Sequence, residues 1–110
     1  GKSAMAYFRE GSMITAGDIW KQELINAGIT YSILLELDCQ KESVVGAFNR
    51  LEAQENFFIL NKPSRDRTCF LVLWGKYRNR QEAEDDLKTI PRYFWQQPNP
   101  PEVIDVTKYL

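Results

Sequence analysis

The 110-residue chain contains no histidine, so neither its serines nor its cysteines have an imidazole to activate them. Histidine is the commonest general base near neutral pH and the commonest metal ligand. The two cysteines, Cys39 and Cys69, lie far apart and lack the C-x-x-C spacing of a zinc site. No nucleophile–base pair is visible among the remaining residues, and nothing positions a lysine or a carboxylate for catalysis. The sequence therefore predicts a protein that is not an enzyme, with no metal and no cofactor.

The charged residues of one stretch are the next candidates: Lys76, Arg78, Arg80, Glu82, Glu84, Asp85 and Asp86. The basic members could bind an anion, but basic residues are also common at the start of a capped helix. The acidic members are interpreted as a solvated helix face. The net charge is −1, which does not indicate binding to nucleic acid or to an anionic membrane. No apolar run approaches the roughly 20 residues of a membrane span.

The first 28 residues predict a helical hairpin. Residues 2–10 form a short helix that ends at Gly11. A capping-box pattern at Thr15–Asp18 starts a second helix, which ends near Gly28. This hairpin, residues 1–28, is the first predicted domain.

Residues 29–110, the second predicted domain, have a pattern that is typical of β-α-β-β-α-β. The elements are a strand at 30–37, a helix at 41–54, a strand at 57–60, a turn at 61–67, a strand at 69–77, a helix from 79 to Pro91, an extended connector at 96–101 and a strand at 103–106. Right-handed crossovers turn this order into a four-stranded antiparallel sheet with both helices on one face. The predicted fold class is α+β and ferredoxin-like. We expect the hairpin to pack on the other face of the sheet.

The segment FLVLWGKYRNRQEAEDDLKTI resembles the second half of the sporulation-related repeat (SPOR) domain. The matching residues are Phe70, Val72, Gly75, Tyr77, Arg80, Glu82, Ala83 and Leu87. Tyr31–Ile33 and the AFNRL segment resemble its first half, so the resemblance covers about residues 30–107. It implies a non-catalytic module of a bacterial cell-envelope protein, in the periplasm. The implied partner is the peptidoglycan glycan strand, in particular strands stripped of stem peptides during cell division.

The hairpin is similar to the end of a tetratricopeptide (TPR) unit. The spacing of small and large residues carries this similarity, at Ala4, Tyr7, Gly11, Met13, Ala16, Trp20 and Leu24. A single unit cannot bury both of its faces. It could cap an array upstream, or dock on the SPOR-like part. An unrelated two-helix extension is the alternative.

The resemblance implies that glycan binds to the sheet face opposite the helices. Strand alternation assigns the outward residues of this face as Ser32, Leu34, Glu36, Leu71 and Leu73. Tyr31, Ile33, Leu35 and Leu37 then face the helices, as do Phe70, Val72 and Trp74. Leu34 and Leu71 stand where the family usually has polar residues. An apolar outer face is either covered by the hairpin, through Met13, Ile19 and Trp20, or exposed to bind an envelope protein.

Cys39 ends the first strand and Cys69 begins the third. These two ends meet if the strands are antiparallel neighbours, so we predict a disulfide, which fits an oxidising envelope compartment. Two reduced, buried thiols are the alternative. The aromatic cluster Tyr93–Trp95 could stack on sugar or could belong to the core beneath the helices.

Overall fold

Five α-helices and one four-stranded antiparallel sheet make up the α+β fold of the computed structural model, which describes all 110 residues. The helices are α1 (Ala4–Arg9), α2 (Met13–Ala27), α3 (Lys41–Asn49), α4 (Arg80–Asp86) and α5 (Arg92–Trp95). The strands are β1 (Tyr31–Asp38), β2 (Phe57–Ser64), β3 (Arg67–Tyr77) and β4 (Glu102–Asp105). Short 3₁₀ turns lie at Gln54–Asn56, Leu87–Thr89 and Val106–Tyr109.

Local sequence patterns predicted the end of α2 and the start of α4 correctly. Gly28 ends α2 in the left-handed conformation, with φ 67°, which glycine adopts without steric cost. Asn79 caps α4, because its side-chain oxygen accepts a hydrogen bond from the Glu82 amide at 2.9 Å. The predicted start of α2 was wrong: the helix begins at Met13, so Thr15–Asp18 lies inside it. Helix α3 ends at Asn49, before the predicted residue 54.

The strand order is β2-β3-β1-β4, and β1 and β3 are the antiparallel central pair. The β2–β3 hairpin is longer than predicted, because residues 61–64 and 67 pair as strand instead of forming a turn. Pro63 is tolerated there because β2 is an edge strand. The turn is confined to Arg65 and Asp66, with Arg65 at φ 54°.

One face of the sheet carries the helices that connect its strands. Phe57 and Trp74 are paired across β2 and β3, so they lie on the same face. Phe48 of α3 packs edge-on against Phe57 at a centroid distance of 4.9 Å. Tyr77 is paired with Tyr31 and Trp74 with Ile33, so Tyr77 lies on the same face as Trp74. Tyr77 donates a hydrogen bond to the Asp86 carboxylate of α4 at 2.7 Å. Helices α3 and α4 therefore both pack on the Trp74 face, as predicted.

A β-bulge changes which residues of β1 face the helices. Leu34 is paired with Leu73, but Glu36 is paired with Val72, so β1 contains one extra residue between these pairs. Glu36 consequently shares the helix-facing side with Val72, and Leu37 is 53% exposed. The alternation that placed Glu36 outward and Leu37 inward was therefore wrong beyond Leu34.

The α1–α2 hairpin packs around the edge strand β2 and contacts both of its sides. Trp20 and Phe8 meet the Phe57 ring, on the helix-facing side, at centroid distances of 6.1 and 4.9 Å. Leu60, which shares the opposite face with Leu71, lies beside Gly17 of α2. The hairpin is thus not confined to the face opposite α3 and α4, which corrects the prediction.

Candidate functional site

The predicted glycan-binding face of the sheet is closed. Ser32 and Leu73 are 0% exposed and Leu71 is 2% exposed, while Leu34 is half-buried. The Ser32 hydroxyl donates to the Gly75 carbonyl at 2.6 Å, so it is already used within the sheet. The structure therefore brings four of the five predicted site residues together, but Leu71 and Leu73 belong to the hydrophobic core, Leu34 packs against it and Ser32 is buried.

Leu71 and Leu73 are thus covered by other parts of the chain and do not form an exposed partner-binding patch. Leu60, on the same face, lines a narrow cleft with Gly17 and Lys21 of α2 and with Tyr109 of the C-terminal turn. Helix α2 and the C-terminal turn therefore approach this face. The contacts of Trp20 are with Phe8 and Phe57, at the edge of the sheet.

An open cleft of about 520 Å³ lies on the other side of the sheet, between the second half of β1, α3 and the segment that follows α5. Its polar lining is Glu36, Asp38, Ser43, Arg50, Gln97 and Asn99, and Tyr93 contributes an aromatic ring. The bulge in β1 places Glu36 in this cleft. Glu36 is therefore the single residue of the predicted set that lines an open site, although on the opposite face from the one predicted.

The carboxyl groups of Glu36 and Asp38 are neighbours in the cleft. Burial, the hydrogen bond to Asp38 and repulsion by its charge raise the pKa of Glu36 to about 8, against the opposing effect of Arg50. Glu36 therefore keeps its proton at neutral pH, as one of two carboxyls that cannot both ionise cheaply. The Oδ2 atom of Asp38 is buried, and no N–H or hydroxyl of the chain donates a hydrogen bond to it.

Arg50 projects from the end of α3 and stacks on the Tyr93 ring, with its guanidinium carbon 3.7 Å from the ring centroid. Such stacking leaves the N–H groups in the guanidinium plane free to donate hydrogen bonds. The two ion pairs of the chain, Lys2–Glu10 and Arg80–Glu84, do not involve Arg50. The cleft thus combines acceptors on β1 with a cationic donor on α3.

The backbone of β1 also borders the cleft. Strand β4 pairs only with Tyr31–Leu34 of β1, so residues 35–38 have no neighbouring strand on the side away from β3. An unpaired strand edge presents N–H and C=O groups that can bind another molecule. The cleft therefore offers main-chain as well as side-chain hydrogen-bonding groups.

The predicted disulfide between Cys39 and Cys69 is present, and the chain has no free cysteine. It joins the residue after β1 to the first half of β3, where Asp38 and Phe70 are paired. Disulfides of this kind are typical of proteins in oxidising compartments.

The basic residues near β3 have structural contacts. Arg78 donates to the Ala27 carbonyl at 3.1 and 2.8 Å and so holds the C-terminal end of α2. Arg80 lies over the Tyr31 ring at 5.1 Å and Lys76 over the Phe58 ring at 5.5 Å. These groups do not converge on one point, so they do not form an anion site.

The aromatic cluster is divided between core and surface. Phe94 is 0% exposed and belongs to the core, whereas Trp95 is 43% exposed. Tyr93 is half-buried and lines the cleft beneath Arg50. Sequence reasoning identified Tyr93 as a possible sugar contact but missed Asp38, Arg50 and Asn99, because no local pattern joins segments this distant in the chain.

Comparisons of the chain with protein-family models, with curated proteins and with solved structures return no match. None of the helices has the length and hydropathy needed to cross a bilayer. No three metal-binding side chains of the His, Cys, Asp and Glu types lie together. The cleft beside β1 is thus identified as the candidate site from its geometry and lining residues alone.

Proposed function

We propose that the chain is a non-catalytic binding module of a bacterial cell-envelope protein and that its ligand is a peptidoglycan glycan strand. The observation that carries this proposal is the strand order β2-β3-β1-β4 with α3 and α4 on one face. This order supports the ferredoxin-like sandwich that the resemblance to SPOR domains implies.

The structure requires glycine in the segment that resembles SPOR domains, and this supports the same proposal. Gly75 has φ 87°, a conformation that side-chain-bearing residues rarely adopt. A Cβ atom at this position would also overlap the Tyr77 ring. Glycine is therefore required at position 75 by the β3 backbone and by the Tyr77 ring.

The disulfide supports a periplasmic location for the module. Peptidoglycan lies in the envelope, where disulfides form and persist. A role at the division site, where glycan strands lose their stem peptides, belongs to the same proposal.

Co-sedimentation with purified sacculi tests the proposed function. We expect the protein to pellet with sacculi, and to pellet more strongly after an amidase has removed the stem peptides. Cellulose particles are the control for nonspecific adsorption. Absence of pelleting with both sacculus preparations would contradict glycan binding.

A protein-interaction or scaffolding module is the second candidate, and the unpaired edge of β1 at residues 35–38 favours it. An extended peptide can add a strand to such an edge. The TPR-like hairpin is consistent with the same role. The sedimentation assay separates the two functions, because a protein-interaction module remains in the supernatant with purified sacculi.

A further inference from the structure

A glycan ligand cannot reach the outer face of the sheet, where Ser32 and Leu73 are 0% exposed. The cleft beside the second half of β1 is open, and its volume of about 520 Å³ lies in the common range for ligand pockets, about 300–1,000 Å³. We infer that this cleft, formed by β1, α3 and the segment after α5, binds a sugar ring of the glycan. This inference rests on the proposed function and specifies its site.

The acid pair of the cleft matches the hydroxyl groups of a sugar. Asp38 lines the cleft and is only partly buried, so its carboxyl group can meet a ligand there, and no N–H or hydroxyl of the chain donates to its Oδ2 atom. Glu36 lies beside it on the same strand. Neighbouring carboxyl oxygens can accept hydrogen bonds from adjacent hydroxyls of one ring.

Donors stand on the opposite wall. Arg50 is held on Tyr93 by stacking, and Asn99 and Ser43 add an amide and a hydroxyl. A sugar presents both donors and acceptors, so it needs both kinds of group around it. Gln97 is anchored through its amide nitrogen to the Tyr93 carbonyl at 3.2 Å, which leaves its side-chain oxygen as a further acceptor.

The charge of the cleft favours a neutral ligand. Four titratable groups line it: Glu36, Asp38, Arg50 and Tyr93. Glu36 holds its proton at neutral pH because of burial and the neighbouring Asp38. The remaining carboxylate is balanced by the Arg50 guanidinium, so neither a cation nor an anion is selected. An uncharged N-acetylated sugar fits this balance.

The inference is tested by titrating the folded protein with soluble β-1,4-linked N-acetylglucosamine oligomers while amide shifts are followed by NMR. We expect the largest shifts at residues 35–38, at Arg50 and at residues 97–99. Asp38→Asn and Asn99→Ala should weaken binding to oligomers and to sacculi, by about tenfold for Asp38→Asn because it removes a charge-assisted acceptor. Glu102→Gln, an exposed carboxylate on β4, is the matched control and should bind like the wild type.

The outcomes of these experiments distinguish a failure of the cleft as the binding site from a failure of the proposed glycan binding. If the wild type pellets with sacculi but Asp38→Asn and Asn99→Ala, with unchanged thermal midpoints, pellet equally well, the cleft is not the site although glycan binding stands. The same conclusion follows if the oligomer shifts map to α2 or to the C-terminal turn. If the wild type fails to bind sacculi, both proposals are wrong. If stem peptides shift residues 35–38 and sugar oligomers do not, the cleft is a peptide site.

Discussion

Asn61 of the edge strand β2 donates hydrogen bonds to the Ile14 carbonyl at 2.9 Å and to the Asp18 carboxylate at 3.0 Å, both on α2. Its amide group lies so close to Gly17 that a Cβ atom there would overlap it. Gly17→Ala should therefore destabilise the protein by about 1–2 kcal/mol, since overpacking outweighs the helix propensity gained. Urea unfolding of the variant measures this change.

A double-mutant cycle tests whether contact with Asn61 causes the destabilisation expected for Gly17→Ala. Asn61→Ala alone should cost about 1–2 kcal/mol through its lost hydrogen bonds. In that background Gly17→Ala should become neutral or stabilising by up to about 1 kcal/mol, because the overlap is gone. Additive effects of the two substitutions would show that the hairpin does not dock on β2 through this contact.

The closed sheet face predicts very different costs for two leucines of the central strands. Leu73→Ala should destabilise by about 3–4 kcal/mol, because it leaves a cavity in the core where Leu73 is 0% exposed. Leu37→Ala, at a position that is 53% exposed, should cost no more than about 0.5 kcal/mol. Chemical denaturation of both variants compares them. Similar small losses at both positions would mean that the outer face is open.

Element types and the pairing of β1 with β3 could be predicted because they depend on local patterns and on the handedness of crossovers. Phe70, Val72 and Trp74 were assigned to the correct face because β3 alternates regularly against β2. The disulfide followed from the pairing of β1 with β3, since Cys39 directly follows β1 and Cys69 lies on β3 beside the Asp38–Phe70 pair. These successes all concern interactions that neighbouring residues or strand order determine.

The candidate site could not be predicted, because it depends on one extra residue in β1. The bulge between Leu34 and Glu36 reverses every later side chain of the strand, and nothing in the sequence YSILLELD marks it. The polar turn predicted at 61–67 failed for a similar reason, since pairing with β3 overrides the weak strand propensity of Asn61 and Pro63. In both the β1 bulge and the extended β2–β3 hairpin, pairing with a neighbouring strand determined the local structure.

Reduction of the Cys39–Cys69 bond should lower the free energy of unfolding by about 3–4 kcal/mol. The bond closes a loop with a sequence separation of 30, and the loss follows from the loop entropy that the unfolded chain regains. The variant with both cysteines changed to alanine should match the reduced wild type in urea unfolding. Equal unfolding midpoints with and without reductant, alongside two alkylated thiols, would contradict a stabilising role.

The acid pair predicts a pH dependence of stability. The pKa of Glu36 is raised to about 8 in the folded protein, above the ordinary value of about 4.3 for an unfolded chain. Between these values the folded state binds more protons than the unfolded state, so stability falls as the pH rises through this window and levels off above it. After allowance for solvent screening of a half-exposed group, the loss should be about 1 kcal/mol.

Unfolding free energies measured from pH 5 to pH 9 test this dependence, with Glu36→Gln as the decisive variant. Glutamine keeps the shape and can still donate a hydrogen bond to Asp38, but it has no proton to lose. The decline in stability between pH 5 and pH 8 should therefore be largely absent in Glu36→Gln and retained in Glu102→Gln, whose carboxyl is exposed. A decline of the same size in all three proteins would mean that another group causes it, and that the Glu36–Asp38 pair does not share a proton.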